Sequence, residues 1–184
     1  MQIKDRLRKK YFFLRKKNYF EVKPNFFQPI SQFINRNFNK KKINLSSYYP
    51  SLYEVNTLKL FQTDIIKKLK ILLPVIKKKK SMYFYEWQVN NVLQINKFGL
   101  LEPPTTKNHI IPDVMLIPLL AYDNQNQRLG YGGGFYDRYL SKFLRAHKKI
   151  VTIGIAFSFQ KYHKIPVTNS DVKLNFILTE KGMF

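Results

Sequence analysis

Three short runs of almost unbroken apolar residues constrain the fold of this chain more than any other feature. They are ILLPVI at 71–76, VMLIPLL at 114–120 and VTIGIAF at 151–157. An element with one wet face alternates apolar and polar residues, so runs this short and this apolar read as strands buried on both faces. Strands of that kind belong to a parallel sheet covered by helices on each side. Further strands are expected over 44–52, 83–87 and 174–178, and helices over 2–19, 26–38, 57–69 and 136–144. The first helix carries Ile3, Leu7, Tyr11 and Leu14 on one side at spacings of three and four, and nearly continuous Lys and Arg on the other. Pro29 stands near the start of the second, where proline is tolerated. Residues 39–44 and 98–112 read as loops and 123–127 as a turn. The expectation is an α/β fold: a single three-layer domain over residues 1–184, with a mainly parallel central sheet flanked by helices. Ligands in such folds sit beyond the carboxyl ends of the strands.

Composition excludes several classes. With 184 residues and 45% hydrophobic content the chain can bury a core and lacks the apolar-poor signature of disorder. There is no cysteine, so disulfides and thiolate metal sites are ruled out, in keeping with a cytoplasmic setting. No window holds about 18 uncharged apolar residues, and the basic N-terminus has no apolar signal core, so no membrane association is expected. The net charge of +22 has two readings. One is a basic RNA-binding or ribosome-associated protein. The other is compositional bias toward Lys, Asn, Ile, Phe and Tyr, with anionic small molecules gaining from the positive field. The basic residues scatter along the chain, which favours the second reading and no obligate nucleic acid.

Four of the seven glycines fall within Arg128–Arg138, RLGYGGGFYDR. Glycine lets backbone N–H groups approach a phosphate, and a helix starting just afterwards adds unsatisfied N–H groups and a positive dipole end. Arg128 can grip phosphate with its planar fork, and Asp137 can hold a divalent cation. A flexible glycine-rich surface hairpin is the structural alternative. Neither GxxxxGK[ST] nor GxGxxG is present, so the residues point to a phosphate-binding loop of no standard class. His109, His147 and His163 have no zinc-like spacing, and residues 82–87 read better as a buried strand than as a base-stacking platform.

The segment Leu116-Ile117-Pro118-Leu119, Tyr122-Asp123 and Arg128 through Arg138 resembles the signature of the 5-formyltetrahydrofolate cyclo-ligase family, RLGxGxGxYDR after a buried strand and an aromatic-Asp turn. Supporting matches follow in the family's order: Lys4-x-x-Leu7-Arg8, Glu54-Val55-Asn56-Thr57, Leu73-Pro74-Val75, Gly99 to Pro103, Gly154 to Phe157, then Ile165-Pro166-Val167 and Asp171. The resemblance implies an enzyme that uses Mg-ATP to convert 5-formyltetrahydrofolate to 5,10-methenyltetrahydrofolate, with ATP as co-substrate, Mg2+ as cofactor and a monomeric state. It assigns ATP to Lys4, Asp5, Arg6, Leu7 and Arg8, and to Arg128, Leu129, Gly130, Tyr131, Gly132, Gly133, Gly134, Phe135 and Tyr136. Catalytic roles fall to Arg128 and Tyr136. Folate contacts fall to Tyr49, Glu54 and the loop from Tyr131 to Phe135, and Mg2+ to Asp137 and Asp171. Two residues depart from the family's pattern: Gly133 stands where many members carry Lys, and Phe135 where Tyr is common.

Overall fold

The apolar runs separate two cores by simple alternation. In the computed structural model, which describes residues 2–40, 42–77, 81–106, 108–145 and 149–184, Val114 and Leu116 enter one hydrophobic cluster while Met115 and Ile117 enter another. Successive side chains of a strand point to opposite faces, so a strand apolar at every position needs cover on both.

The strands, in chain order, are β1 (Ile43–Ser46), β2 (Leu69–Ile76), β3 (Met82–Glu86), β4 (Gln94–Ile95), β5 (Leu101–Glu102), β6 (Val114–Pro118), β7 (Ala121–Tyr122), β8 (Arg128–Leu129), β9 (Val151–Ile155), β10 (Phe176–Thr179) and β11 (Gly182–Met183). Among the described residues seven of them form one sheet in the order β11-β10-β9-β6-β1-β2-β3. The inner pairings are parallel, and only the edge strands β3 and β11 run antiparallel. Helix α2 (Gln28–Asn37) covers one face through Ile30 and Ile34, and α3 (Phe135–Arg145) covers the other through Tyr139, Leu140 and Phe143. The expected three layers and mainly parallel sheet are present.

Several boundaries differ from the sequence reading, each for a local reason. The first helix, α1 (Gln2–Asn18), is not a sheet-covering layer. Its Leu7 and Tyr11 pack with Leu120, Ala121 and Leu129 around the small β7–β8 hairpin. Ile3 is exposed and Arg15 is buried, so the inward stripe is 7, 11, 14 and 15, with Leu14 partly buried as expected and Arg15 in place of Ile3. The strand expected over 44–52 is only four residues long. The helix expected over 57–69 is two 3-10 segments, Thr57–Gln62 and Asp64–Lys68, parted by Thr63 in an extended conformation with φ −110° and ψ 151°. Inward residues Thr57 and Leu60 are three apart, the 3-10 repeat. The loop at 98–112 contains β5, which pairs with β4.

Gly154 is closely packed in the second core. A Cβ there would lie 2.7 Å from Ile177 Cδ1, 2.7 Å from Leu119 Cδ2 and 2.8 Å from Leu174 Cδ1. Three elements converge on it, so no single neighbour can yield alone. Gly154→Ala is expected to lower unfolding free energy by about 1–3 kcal/mol, as overpacking does. Urea denaturation checks this: the midpoint should fall with the slope unchanged.

Candidate active site

The cleft begins where β1 stops. β1 lies between β2 and β6, and chain order reverses there, with β2 and β3 on one side and β6, β9 and β10 on the other. Its last residue, Ser46, pairs with Leu72 and Met115, whereas β2 runs on to Ile76 and β6 to Pro118. Beyond Ser46 the two neighbours have no strand between them. A cavity of about 1150 Å³ opens at this carboxyl end, with Tyr48, Tyr49, Pro74, Ile76 and Pro118 among its walls. This is the crevice in which open α/β sheets bind ligands.

The glycine segment forms another wall. β8 delivers Arg128 and Leu129, residues 130–134 turn, and α3 begins at Phe135. Gly132 and Gly134 have φ of +98° and +63°, a left-handed region that strains other residues. At Gly132 a Cβ would also meet the Arg8 guanidinium carbon at 3.3 Å. Arg8 Nε donates to the Gly130 carbonyl at 3.0 Å, and Arg138 Nη2 to the Gly133 carbonyl at 2.7 Å, so two arginines brace the turn. Gly133 is not left-handed; a Cβ there would instead meet the Phe135 ring at 2.7 Å.

One end of the cavity gathers cations and carboxylates. Arg128 is largely buried, donates to Asp137 Oδ1 at 2.6 Å, and lies over the Tyr136 ring at 5.8 Å. Asp137 Oδ1 also accepts from the Val172 N–H at 3.1 Å, which brings Asp171 beside it. Lys4 Nζ donates to Asp171 Oδ2 at 2.6 Å, and the Thr168 N–H donates to the same oxygen at 2.6 Å. Burial works to raise the Asp171 carboxyl, but the bonds from Lys4 and Thr168 outweigh it and hold the group below its ordinary value. Two neighbouring carboxylates are hard oxygen donors that suit Mg2+ when phosphate and water oxygens complete the shell. Among the described residues no cluster of three or more metal-ligating side chains exists. Lys4 and Arg8 line the cavity together. Asp5 pairs with Arg8 at the surface, Arg6 is exposed, and Leu7 is buried with Tyr11 and Leu129, so these three are not brought into the cavity wall.

The other end is built around Glu54, only 8% exposed. Its Oε1 accepts a short hydrogen bond from the Tyr131 hydroxyl, and its Oε2 accepts from the Ser51 N–H at 2.9 Å. Burial raises the Glu54 carboxyl, while Tyr131, Arg15 and Ser51 oppose that rise. Burial first, then the Glu54 charge, keeps the Tyr131 and Tyr136 hydroxyls protonated, so both remain donors at neutral pH. Tyr49 lines the same cavity and meets Trp87 edge-to-face at 6.2 Å. Sequence reasoning missed Arg15, although its position four residues after Tyr11 and eight after Leu7 placed it on their face. It also missed two consecutive left-handed residues, Leu52 and Tyr53, just before Glu54.

Neither His109 nor His163 lines the cavity. His109 stands edge-on to Tyr83 and His163 leans on Tyr162, while His147 lies outside the described residues. Residues 82–87 are the edge strand β3 and buried Trp87, as expected. Among the described residues no helix is long and apolar enough to cross a membrane.

Comparisons with known proteins agree with this geometry. The 5-formyltetrahydrofolate cyclo-ligase of Haemophilus influenzae is 30% identical over 141 residues, 73% of this chain and 74% of that protein. The solved 5,10-methenyltetrahydrofolate synthetase of Aquifex aeolicus superposes with a TM-score of 0.73 at 26% identity, over 98% of this chain and 91% of the other. That of Mycoplasma pneumoniae gives a TM-score of 0.66 at 26% identity, over 96% and 98%. The model of the 5-formyltetrahydrofolate cyclo-ligase family matches residues 3–180, and the chain belongs to that family.

Proposed function

We propose that residues 1–184 act as a single cytoplasmic domain that converts 5-formyltetrahydrofolate to 5,10-methenyltetrahydrofolate with ATP and Mg2+, releasing ADP and phosphate. The observation that carries this reading is one cavity with two unlike ends. A cationic, glycine-lined end holds Arg128, Lys4, Arg8, Asp137 and Asp171; a buried carboxylate end holds Glu54, Tyr49 and Tyr131. The first suits a triphosphate, and the second suits the N–H groups of a pterin.

The chemistry needs both ends at once. An N-formyl oxygen is a poor leaving group when N10 attacks the formyl carbon. Transfer of the γ-phosphoryl group to that oxygen gives an imino-phosphate. N10 then adds to the formyl carbon and gives up its proton to solvent, and the C–O bond breaks to release phosphate. Phosphoryl transfer of this kind depends on positioning and charge stabilisation. Arg128, held by Asp137 and by the Tyr136 ring, meets the transferring phosphate with its direction already fixed. Lys4 and Arg8 line the cavity from α1, and the loop and the first turn of α3 can offer backbone N–H groups. Tyr136, protonated at neutral pH, supplies a donor between the Arg128 and Glu54 ends. Asp137 and Asp171 would hold Mg2+, whose charge offsets that of the phosphate oxygens.

Absorbance of methenyltetrahydrofolate after mixing protein, Mg-ATP and 5-formyltetrahydrofolate tests the reading. Product should form only with both nucleotide and divalent cation present; undiminished turnover in excess chelator or without ATP would defeat it. Arg128→Ala should lower kcat/KM roughly 30- to 1000-fold, equivalent to about 2–4 kcal/mol of lost charge stabilisation. Lys10→Ala, which removes an exposed cation from the same chain, should stay within about twofold. The loop offers a third check. Gly134→Lys is expected to lose about 1–2 kcal/mol of stability because its φ is left-handed. Gly133→Lys must displace the Phe135 ring, 2.7 Å from where its Cβ would begin, so it is expected to fold but melt below wild type, with ATP KM unchanged or lower. Equal loss of ATP binding in folded Gly133→Lys and Gly133→Ala would show that this position does not face the phosphates.

A further inference from the structure

Arg15 is 1% exposed on a helix whose neighbouring Lys16 and Lys17 are solvated. A buried guanidinium is costly unless its donors and charge are met. One Arg15 nitrogen, Nη1, donates to the Tyr131 hydroxyl at 2.6 Å and weakly to the Leu119 carbonyl at 3.4 Å. The other, Nη2, donates to the Leu52 carbonyl at 2.7 Å, while Nε is buried with no partner among the described residues. Arg15 is not part of the cavity wall. Its hydrogen-bonded path to the Glu54 carboxylate runs through the Tyr131 hydroxyl, which the two share, and its charge also acts on that carboxylate through space.

The Leu52 contact is the second half of the arrangement. Leu52 and Tyr53 have φ of +46° and +66°, and two successive left-handed residues without a glycine are strained. Such a turn persists only when its surroundings over-determine it, and the next residue is Glu54. We propose that Arg15 is a positioning residue, clamping the strained turn before Glu54 to the Tyr131 hydroxyl so that the Glu54 carboxylate is aimed into the cavity. The inference rests on the reading of Glu54 as the group that recognises folate.

The groups facing Glu54 are Arg15 from α1, Ser51 from its own turn, Tyr48 from the segment after β1, Tyr131 from the glycine loop and Tyr136 from α3. Arg15 alone among these carries positive charge. Without it Glu54 keeps neutral donors in a buried site, and its carboxyl titrates higher. An acid whose pKa is raised ionises only as pH rises, so a variant lacking Arg15 should recover folate affinity toward alkaline pH.

Steady-state kinetics on Arg15→Met, Arg15→Lys and the control Lys16→Met decide the matter, with thermal melting to establish folding. For Arg15→Met the folate KM should rise about tenfold near about pH 6 and only about threefold near about pH 8.5, with ATP KM within about twofold. Arg15→Lys keeps the charge but cannot span Leu52 and Tyr131, so its folate KM should rise a few-fold with a flat pH profile. The effect of Arg15→Met should shrink in a Tyr131→Phe background, because the clamp acts through that hydroxyl. If Arg15→Met does not fold, Arg15→Lys carries the test, and a wild-type folate KM in it overturns the proposal. So does a folate KM in Arg15→Met that moves no more than in Lys16→Met, or one that rises with ATP KM and without pH dependence. A wild-type protein that forms no product defeats the proposed function itself; an active wild type with any of these outcomes defeats the role of Arg15 alone.

Discussion

Everything in the site depends on β1 stopping after four residues. It is the parallel strand between β2 and β6, where chain order reverses, and both neighbours outrun it at their carboxyl ends. A longer β1 would fill the gap between β2 and β6 with its own ladder. The chain instead makes one last sheet-like bond, from the Ser47 N–H to the Leu72 carbonyl at 2.8 Å, and turns away. The return is held by buried bonds: Tyr48 Oη to the Val55 carbonyl at 3.1 Å and Thr57 Oγ1 to the Tyr48 carbonyl at 2.7 Å. Glu54 sits between those anchors, so the early end of a strand both opens the cavity and returns a carboxylate to its rim.

The cations at the glycine-loop end of the cavity are ordered by carboxylates rather than left mobile. Arg128 pairs with Asp137, Lys4 with Asp171 and Arg8 with Asp5. The first pair is largely shielded from water, and such a pair contributes little to stability once desolvation is counted, but it fixes direction. Arg128 Nε remains buried without a partner among the described residues, another sign that its setting is not arranged for stability alone. Fixed donors need no reorganisation when charge develops, and this kind of preorganisation usually dominates transfer chemistry.

The sheet was legible because its signal is a two-residue alternation combined with length. Runs at 71–76, 114–120 and 151–157 had to be covered on both faces, and α2 and α3 supply that cover. The glycine loop was legible because glycine is needed for a backbone reason, at Gly132 and Gly134. What escaped was decided by tertiary context. Arg15 has the composition of a surface residue, and only its phase with Leu7 and Tyr11 betrays its burial. Residues 57–68 have helical spacing in part, but Thr63 extends and splits them into 3-10 turns. Leu52 and Tyr53 give no sequence sign of their left-handed backbone, and the group that meets the Leu52 carbonyl, Arg15, lies 37 residues away in the chain.

The two departures from the family pattern are one feature in space. A side chain at Gly133 would begin where the Phe135 ring lies, at 2.7 Å. That ring is held from two sides, by the Arg138 guanidinium 5.2 Å from its centre and by the Phe98 ring at 5.9 Å. The absent lysine and the absent hydroxyl therefore belong together: a phenyl ring leans over the glycine that makes room for it. Positive charge is not lost from the turn, because Arg138 is anchored on the carbonyl of Gly133 itself at 2.7 Å and lines the cavity. An arginine tied to backbone is less mobile than a lysine extending from it, since its planar fork loses less freedom for each bond formed. Substitution at Gly133 must therefore be judged together with Phe135, and Phe135 together with Arg138, because all three share the same few ångströms of space.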